Sequence, residues 1–385
     1  MFSARRSHLG QVLVLAALPL AGIGCKVAED AGHANLTTAY TEARAALFQA
    51  AKDADASTRT HAMEALATAV GREAGPAFTQ ALKDTSWSVR FAAAVAIGDT
   101  AYAPAKEALL PMAADRKVEP DKRVLCAVIY ALYSLQDDTY AGELGPLLRD
   151  RDKEVRANVA LAMGKMGEPS ATGPLQSLLE DELDAGNRLQ ITESLAMLGD
   201  TKSLNVLEAF AQTRFLEDRL AAMAAMARVR SPRAKAILRE LLSERDRPDV
   251  RVAAAGALAG LGEFNQRGYE LCVWAVHDPR HELEEFFGGR GTVSPGEMWS
   301  LRRLAARSLG QMKRLETVAM LRELLGSRDG GVRVAAAAAV MRIIDSQQHV
   351  TPATAPAQAG GRGRSETDRP GQVKRKRLYS AGAKD

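Results

Sequence analysis

Aromatic side chains are scarce in this 385-residue chain: three Trp, seven Tyr and nine Phe make 5% of it, although 46% of residues are hydrophobic. The apolar content is mostly Ala and Leu, the strongest helix formers. No run rich in Val, Ile and Thr reads as a strand. These absences exclude sheet-based folds and predict an almost wholly helical chain, with small side chains where helices cross.

Cysteine and histidine are scarce too. Three Cys cannot make a disulfide framework. Cys126 and Cys272 stand in apolar helical context, far apart along the chain, and read as buried free thiols. Among six His, only His277 and His281 stand at a spacing that suits a metal, beside Asp278, Glu282, Glu284 and Glu285. Pro279 lies between them and spoils the single helical face such a pair needs. Gly288–Gly289–Arg290–Gly291 has no strand before it and no helix straight after it, so it is no phosphate loop. No nucleophile elbow or Cys–His pairing appears. The residues predict no catalytic site, no metal and no cofactor.

Charge of one sign is missing from the body. Of the net +4, residues 346–385 contribute +5 and residues 1–24 contribute +2, which leaves −3 for everything between. The body has no general pull towards nucleic acid.

What the chain does have is a period. DKEVRANVALAMG at 152–164, PDVRVAAAGALAG at 248–260 and DGGVRVAAAAAVM at 329–341 share one pattern. An apolar residue precedes Arg, then Ala or Val stands three positions on and Ala six positions on. The Arg position falls at Arg59, Arg90, Leu125, Arg156, Arg188, Arg219, Arg251, Arg302 and Arg333, in steps of 31, 35, 31, 32, 31, 32, 51 and 31. Asp stands four residues before it at Asp55, Asp121, Asp152, Asp184 and Asp329, where it suits a helix N-cap. Gly98, Gly164, Gly199 and Gly310 fall near the first helix's end and read as left-handed C-caps. A second apolar stripe follows in each copy, so a unit of about 31 residues is two helices and their turns. One pair cannot bury both stripes alone, and stacking is obligatory.

The fold class is therefore all-α, an α-solenoid of about nine two-helix repeats over residues 35–345. Nine pairs at about 10 Å each predict a rod roughly 90 Å long. The eight repeated arginines read as structural, each guanidinium bridging to an Asp of the adjacent unit. The pattern D-x-x-V-R-x-x-A-x-x-A-L-G, nearly intact at 152–164 apart from Val159 and Met163, resembles the short-period HEAT repeats related to phycobilisome lyases. That resemblance implies an interaction platform. It also leaves open an enzyme on the same fold, since chromophore lyases and di-iron hydroxylases share it.

One step is long. The 51-residue step holds about 20 extra residues, assigned to a loop at 279–298 in which no helix pattern survives. Residues 264–299 hold six of the chain's 19 aromatics. Phe286, Phe287, Arg290 and Trp299 are candidate partner-binding residues; the alternative is that the loop packs back on the solenoid. Trp87 reads as a wedge between units.

The ends differ from the body. Arg5 and Arg6 precede thirteen apolar or small residues at 12–24, too short to span a bilayer but suited to an export signal. Cys25 follows directly, which resembles a bacterial lipoprotein signal whose cleavage leaves a lipidated cysteine. An ordinary secretory signal is the alternative. Residues 25–34 then form a tether, and Asn35 to about Ala51 a helix that covers the end of the stack. Residues 346–385 read as a disordered basic tail, with Lys374–Arg375–Lys376–Arg377 suited to an anionic surface rather than to nucleic acid. The sequence thus predicts a non-catalytic protein-binding scaffold in the bacterial cell envelope, periplasm-facing and lipid-anchored, its protein partner unidentified.

Overall fold

Ala-rich segments at a fixed period become helices of alternating depth. A computed structural model describes residues 21–229, 231–243, 247–278 and 293–348, with 280 and 284 besides. The first helix of each unit is α2 (Ala56–Ala69), α4 (Trp87–Thr100), α6 (Lys122–Ser134), α8 (Lys153–Met166) and α10 (Ala185–Met197). The series continues with α12 (Leu216–Val229), α14 (Pro248–Gly260), α16 (Pro295–Met312) and α18 (Gly330–Gln348). The second helices are α3 (Gly75–Ala81), α5 (Lys106–Ala114), α7 (Leu144–Leu147), α9 (Thr172–Asp181), α11 (Ser203–Ala211), α13 (Pro232–Leu241), α15 (Gln266–His277) and α17 (Val318–Glu323). Before them runs α1 (Ala21–Ala50). The described residues contain no strand, and this is an all-α solenoid.

Asp begins many first helices for the reason the sequence suggested. The carboxylates of Asp55, Asp121, Asp152 and Asp184 accept backbone N–H groups of the first turn, and Asp329 accepts that of Val332. Each first helix then buries small residues against the next one. Ala92, Ala93, Ala94 and Ala96 of α4 are buried, as are Ala336, Ala337 and Ala339 of α18.

Glycine does different work from that expected. Gly98, Gly164 and Gly310 lie inside their helices, not at left-handed caps. A Cβ on Gly164 would come within 2.8 Å of the Ser194 backbone, and one on Gly310 within 2.9 Å of that of Ala339. These positions let neighbouring first helices touch backbone to side chain. Of the four, Gly199 alone has positive φ, at +84°; elsewhere Gly71, Gly167, Gly262, Ala101, Gln136 and Lys313 take that conformation, Gly167 as the left-handed cap of α8.

The predicted rod is not what forms. Contacts separate residues up to Thr38 from those after it, and the unit from Ala39 onward is a closed ring. α2 packs on α4, α4 on α6, and so on through α16 and α18; α18 then packs on α2. A Cβ on Gly330 at the start of α18 would collide with Thr58 of α2. The ninth unit, which has no second helix after α18 among the described residues, is completed by α1. Tyr40 of α1 is hydrogen-bonded to Asp345 of α18. Arg322 of α17 pairs with Glu42 at 2.7 Å, and Arg44 pairs with Glu73 just before α3. α1 therefore does not cover an open end. From Ala39 it fills the outer place between α17 and α3, burying Ala43 and Leu47 completely. Small residues hold the inner layer close, and nine units that close a ring turn by about 40° each on average.

Two further expectations change at the edges. α1 begins at Ala21, so residues 25–34 have helical backbone instead of forming a loose tether. The 279–298 loop is shorter than expected, because α16 begins at Pro295 behind a Ser294–Glu297 capping box.

Candidate functional site

Three surfaces follow from the ring: a rim with an arginine ladder, an exposed apolar part of that rim, and a charged lumen. The rim carries the turns that enter the first helices. Arg59 donates from Nε and Nη2 to both oxygens of Asp84 at 2.8 Å, and from Nη1 to the carbonyls of Asp53 and Ala54. Asp84 stands six residues before the next Arg position. The same step pairs Arg90 with Glu119 at 2.7 Å and Arg156 with Glu182 at 2.8 Å. It also pairs Arg333 with Asp53 at 2.8 Å, across the closure. Where Leu125 replaces Arg, Lys122 reaches the waiting Asp150 at 2.7 Å.

The ladder stops over the other half of the ring. Positions 213, 245, 296 and 327 hold Thr, Arg, Gly and Ser, so Arg188, Arg219, Arg251 and Arg302 meet no acid there. At that step the expected bridge to the adjacent unit fails for Arg188, Arg251 and Arg302 among the described residues. Arg188 donates instead to the Leu179 and Glu182 carbonyls, Arg219 to that of Ala211, and Arg302 to that of Val276. Arg251 has a buried Nε without a hydrogen-bond partner among the described residues.

Apolar side chains stand open along the same rim. Leu183, in the turn between α9 and α10, is 94% exposed, and Phe215, between α11 and α12, is 55% exposed. Val118 stands half-open in the turn before α6, beside a cavity of about 620 Å³ lined by Leu82, Arg90, Met112 and Glu119. Ser294, the cap that leads into α16, stands on this rim as well. Phe286, Phe287 and Arg290 lie outside the described residues. Trp299 is half-buried on α16, with the Arg302 guanidinium 5.5 Å from its ring centre. Trp87 is also half-buried, under Arg123 of the next unit at 4.0 Å.

The lumen is lined by positions five and nine residues after the repeated Arg. Nine helices about 9 Å apart put their axes on a circle about 26 Å across. A helix body about 10 Å wide then leaves a lumen on the order of 15 Å. Long side chains from neighbouring units meet in such a space. Lys165 of α8 reaches past Tyr130 of α6 to Asp99 of α4 at 2.8 Å, and Arg228 of α12 pairs with Glu193 of α10. Glu64 of α2 feels the charges of Arg307, Lys165 and Arg228, which belong to three different units.

Solvent reaches these groups, yet they behave as desolvated ones. Glu64 and Arg307 are exposed, but burial raises the Glu64 carboxyl and lowers Arg307. A narrow interior explains both: water touches the side chains while protein surrounds them. Arg342 is lowered by the same cause.

The cysteines and histidines fit no such site. Cys126 and Cys272 are buried and unpaired, and burial pushes both thiols up to about 12. His277 is exposed at the end of α15, and His281 lies outside the described residues. The described residues contain no cluster of three or more metal-binding side chains, and no helix among them is long and apolar enough to cross a membrane. Cys25 lies on the helical backbone of α1, and residues 346–385 are described only to Gln348.

Sequence reasoning missed the lumen residues altogether. Charges recurring on one face of successive Ala-rich helices were the available signal, but only closure turns that face inward.

Comparison with known proteins agrees with the repeat. No curated protein matches the chain. Among solved structures it is similar to human deoxyhypusine hydroxylase in complex with glycerol, with 17% identity, 74% of this chain and 99% of that one covered, and a TM-score of 0.34. It is also similar to the complex of CpcE and CpcF of phycocyanin lyase from Nostoc sp. PCC7120, with 18% identity, 71% and 94% covered, and a TM-score of 0.35. An engineered protein matches at 17% identity over 77% of this chain and 98% of that one, with a TM-score of 0.29. A family model of HEAT repeats matches residues 44–129, 142–222 and 295–357, more than half of the chain, and the protein belongs to that family.

Proposed function

We propose that this protein is a non-catalytic scaffold that binds a protein partner on its rim, at the turns of units five to eight. One observation supports this most: Leu183 and Phe215 stand open in successive turns, where water gains nothing from a bare aliphatic or aromatic group. Adjacent exposed apolar anchors are what a partner surface covers. The Arg156–Glu182 rung of the ladder stands beside Leu183 and holds that turn in place for recognition. The 279–293 segment, which leads to Ser294 on the same rim, would extend the contact.

In this reading the scaffold is extracytoplasmic and held to the membrane by a lipid on Cys25. What supports it is the sequence alone, the basic and apolar start followed by that cysteine. Fractionation of wild type and Cys25→Ser tests the anchor: the variant should leave the membrane fraction, and a protein that stays soluble in the cytoplasm either way contradicts it. In-cell crosslinking followed by pull-down tests the rim. Leu183→Asp with Phe215→Asp should lose the crosslinked partner that wild type recovers. Deletion of 279–293, which spares the Ser294 cap, should weaken it. Undiminished recovery from the double variant sinks the rim. Iron or a chromophore found in the purified protein would favour an enzyme instead.

A further inference from the structure

The lumen charges divide into those that are answered and those that are not. Lys165 has Asp99, and Arg228 has Glu193. On the side where the ring closes, Arg303 and Arg307 of α16 and Arg342 of α18 make no ion pair with any described carboxylate. Arg303 reaches only Ser300 of its own helix. Arg307 feels the opposing charge of Glu64 and is pressed by the like charges of Arg303 and Arg342. Glu64 thus offsets part of the charge on Arg307, Asp329 stands near Arg303 beside Gly331, and none of the three guanidiniums forms an ion pair among the described residues.

His61 of α2 completes the wall. Its Nδ1 is buried without a hydrogen-bond partner, and it feels both Arg307 and Arg303. Burial, then those two charges, lowers its pKa, so the neutral ring keeps one nitrogen to donate and one to accept.

Crowded, half-desolvated cations without an ion-pair partner are costly, and their cost is relieved by an anion that enters with them. Guanidinium presents paired N–H groups that match the oxygens of carboxylate or phosphate. The space is on the order of 15 Å before side chains enter it, which admits a small molecule and no folded domain. We propose that the lumen binds a small multivalent anion bearing phosphate or carboxylate groups, held between Arg303, Arg307 and Arg342 with His61 at its edge. This site stands on the lumen alone and does not depend on the rim.

Calorimetry on the full chain tests it, with pyrophosphate and citrate as probes and potassium chloride at matched ionic strength as control. At least one probe should bind saturably, one per chain, and which one separates a phosphate ligand from a carboxylate ligand. The Arg307→Gln/Arg342→Gln double variant should bind it at least tenfold more weakly. Without anion, Arg307→Gln should melt above wild type, because a repulsion has gone; with saturating probe that order should reverse. No saturable binding of either probe overturns the site. So does equal binding by the double variant, or an anion-free Arg307→Gln that melts below wild type or fails to fold.

Discussion

Arg333 Nη2 donates to Asp53 Oδ2 at 2.8 Å, joining residues 280 positions apart by the same step that joins each ladder arginine to its neighbour unit. The last arginine of the array uses the acid that precedes the first. Such a bond exists only if the ninth unit lies against the first, and the Arg322–Glu42 pair repeats the closure in the outer layer.

Ladder arginines should differ in worth according to the burial of their acids. Glu119 is almost fully buried, with Arg90 on it. Arg90→Ala leaves that carboxylate unpaired and should cost about 3 kcal/mol or more. The Arg333–Asp53 pair is about one quarter exposed on each side, and Arg333→Ala should cost about 1 kcal/mol. Urea unfolding of the two variants checks the order.

Acid should weaken the ladder in a defined window. Arg156 above all, with Asn187 and the Asp184 N–H, holds the Glu182 carboxyl at about 2, below its unfolded value. A depressed carboxylate contributes its stability fully above the unfolded pKa of about 4.3 and loses it as pH falls through the folded one. Glu182→Gln should thus cost about 2 kcal/mol near neutral pH. Its difference from wild type should shrink between about pH 5 and pH 2 in denaturant titrations.

Spacing between first helices should be intolerant of added bulk. Gly164 has the Ser194 backbone where a Cβ would go, while Gly173 has nothing within 4 Å. Gly164→Val should cost about 2 kcal/mol or more by forcing α8 from α10. Gly173→Ala, on exposed α9, should be neutral or stabilising by up to about 1 kcal/mol. Thermal melts of both variants separate close approach from general helix preference.

Much of this was legible in the residues. The Arg period counts nine units, and Asp at the helix starts marks the caps. Closure left a trace that local reading does not weigh: Asp53 has no repeat arginine one unit before it in the chain, and Arg333 has no repeat acid one unit after it. The glycines misled because a position near a helix end suits both a left-handed cap and a close approach. Gly98 and Gly164 are told apart from Gly199 only by what Tyr130 and Ser194 bring against them. Lumen residues such as Glu64, Arg307 and Arg342 look like an ordinary solvated helix face until the curvature of all nine units is summed. Leu183 and Phe215 carry no periodic signature at all, since turns vary freely between units.

Ring closure is tested most directly by a distance. Spin labels at Lys52→Cys and Arg328→Cys, in a chain with Cys25→Ser, occupy exposed turns beside Asp53 and Arg333, and the two remaining native thiols are buried. Pulsed dipolar spectroscopy should give one narrow distribution within about two helix diameters, ~20 Å. A distribution centred near 80–90 Å, the length of about nine units laid end to end, would contradict the ring.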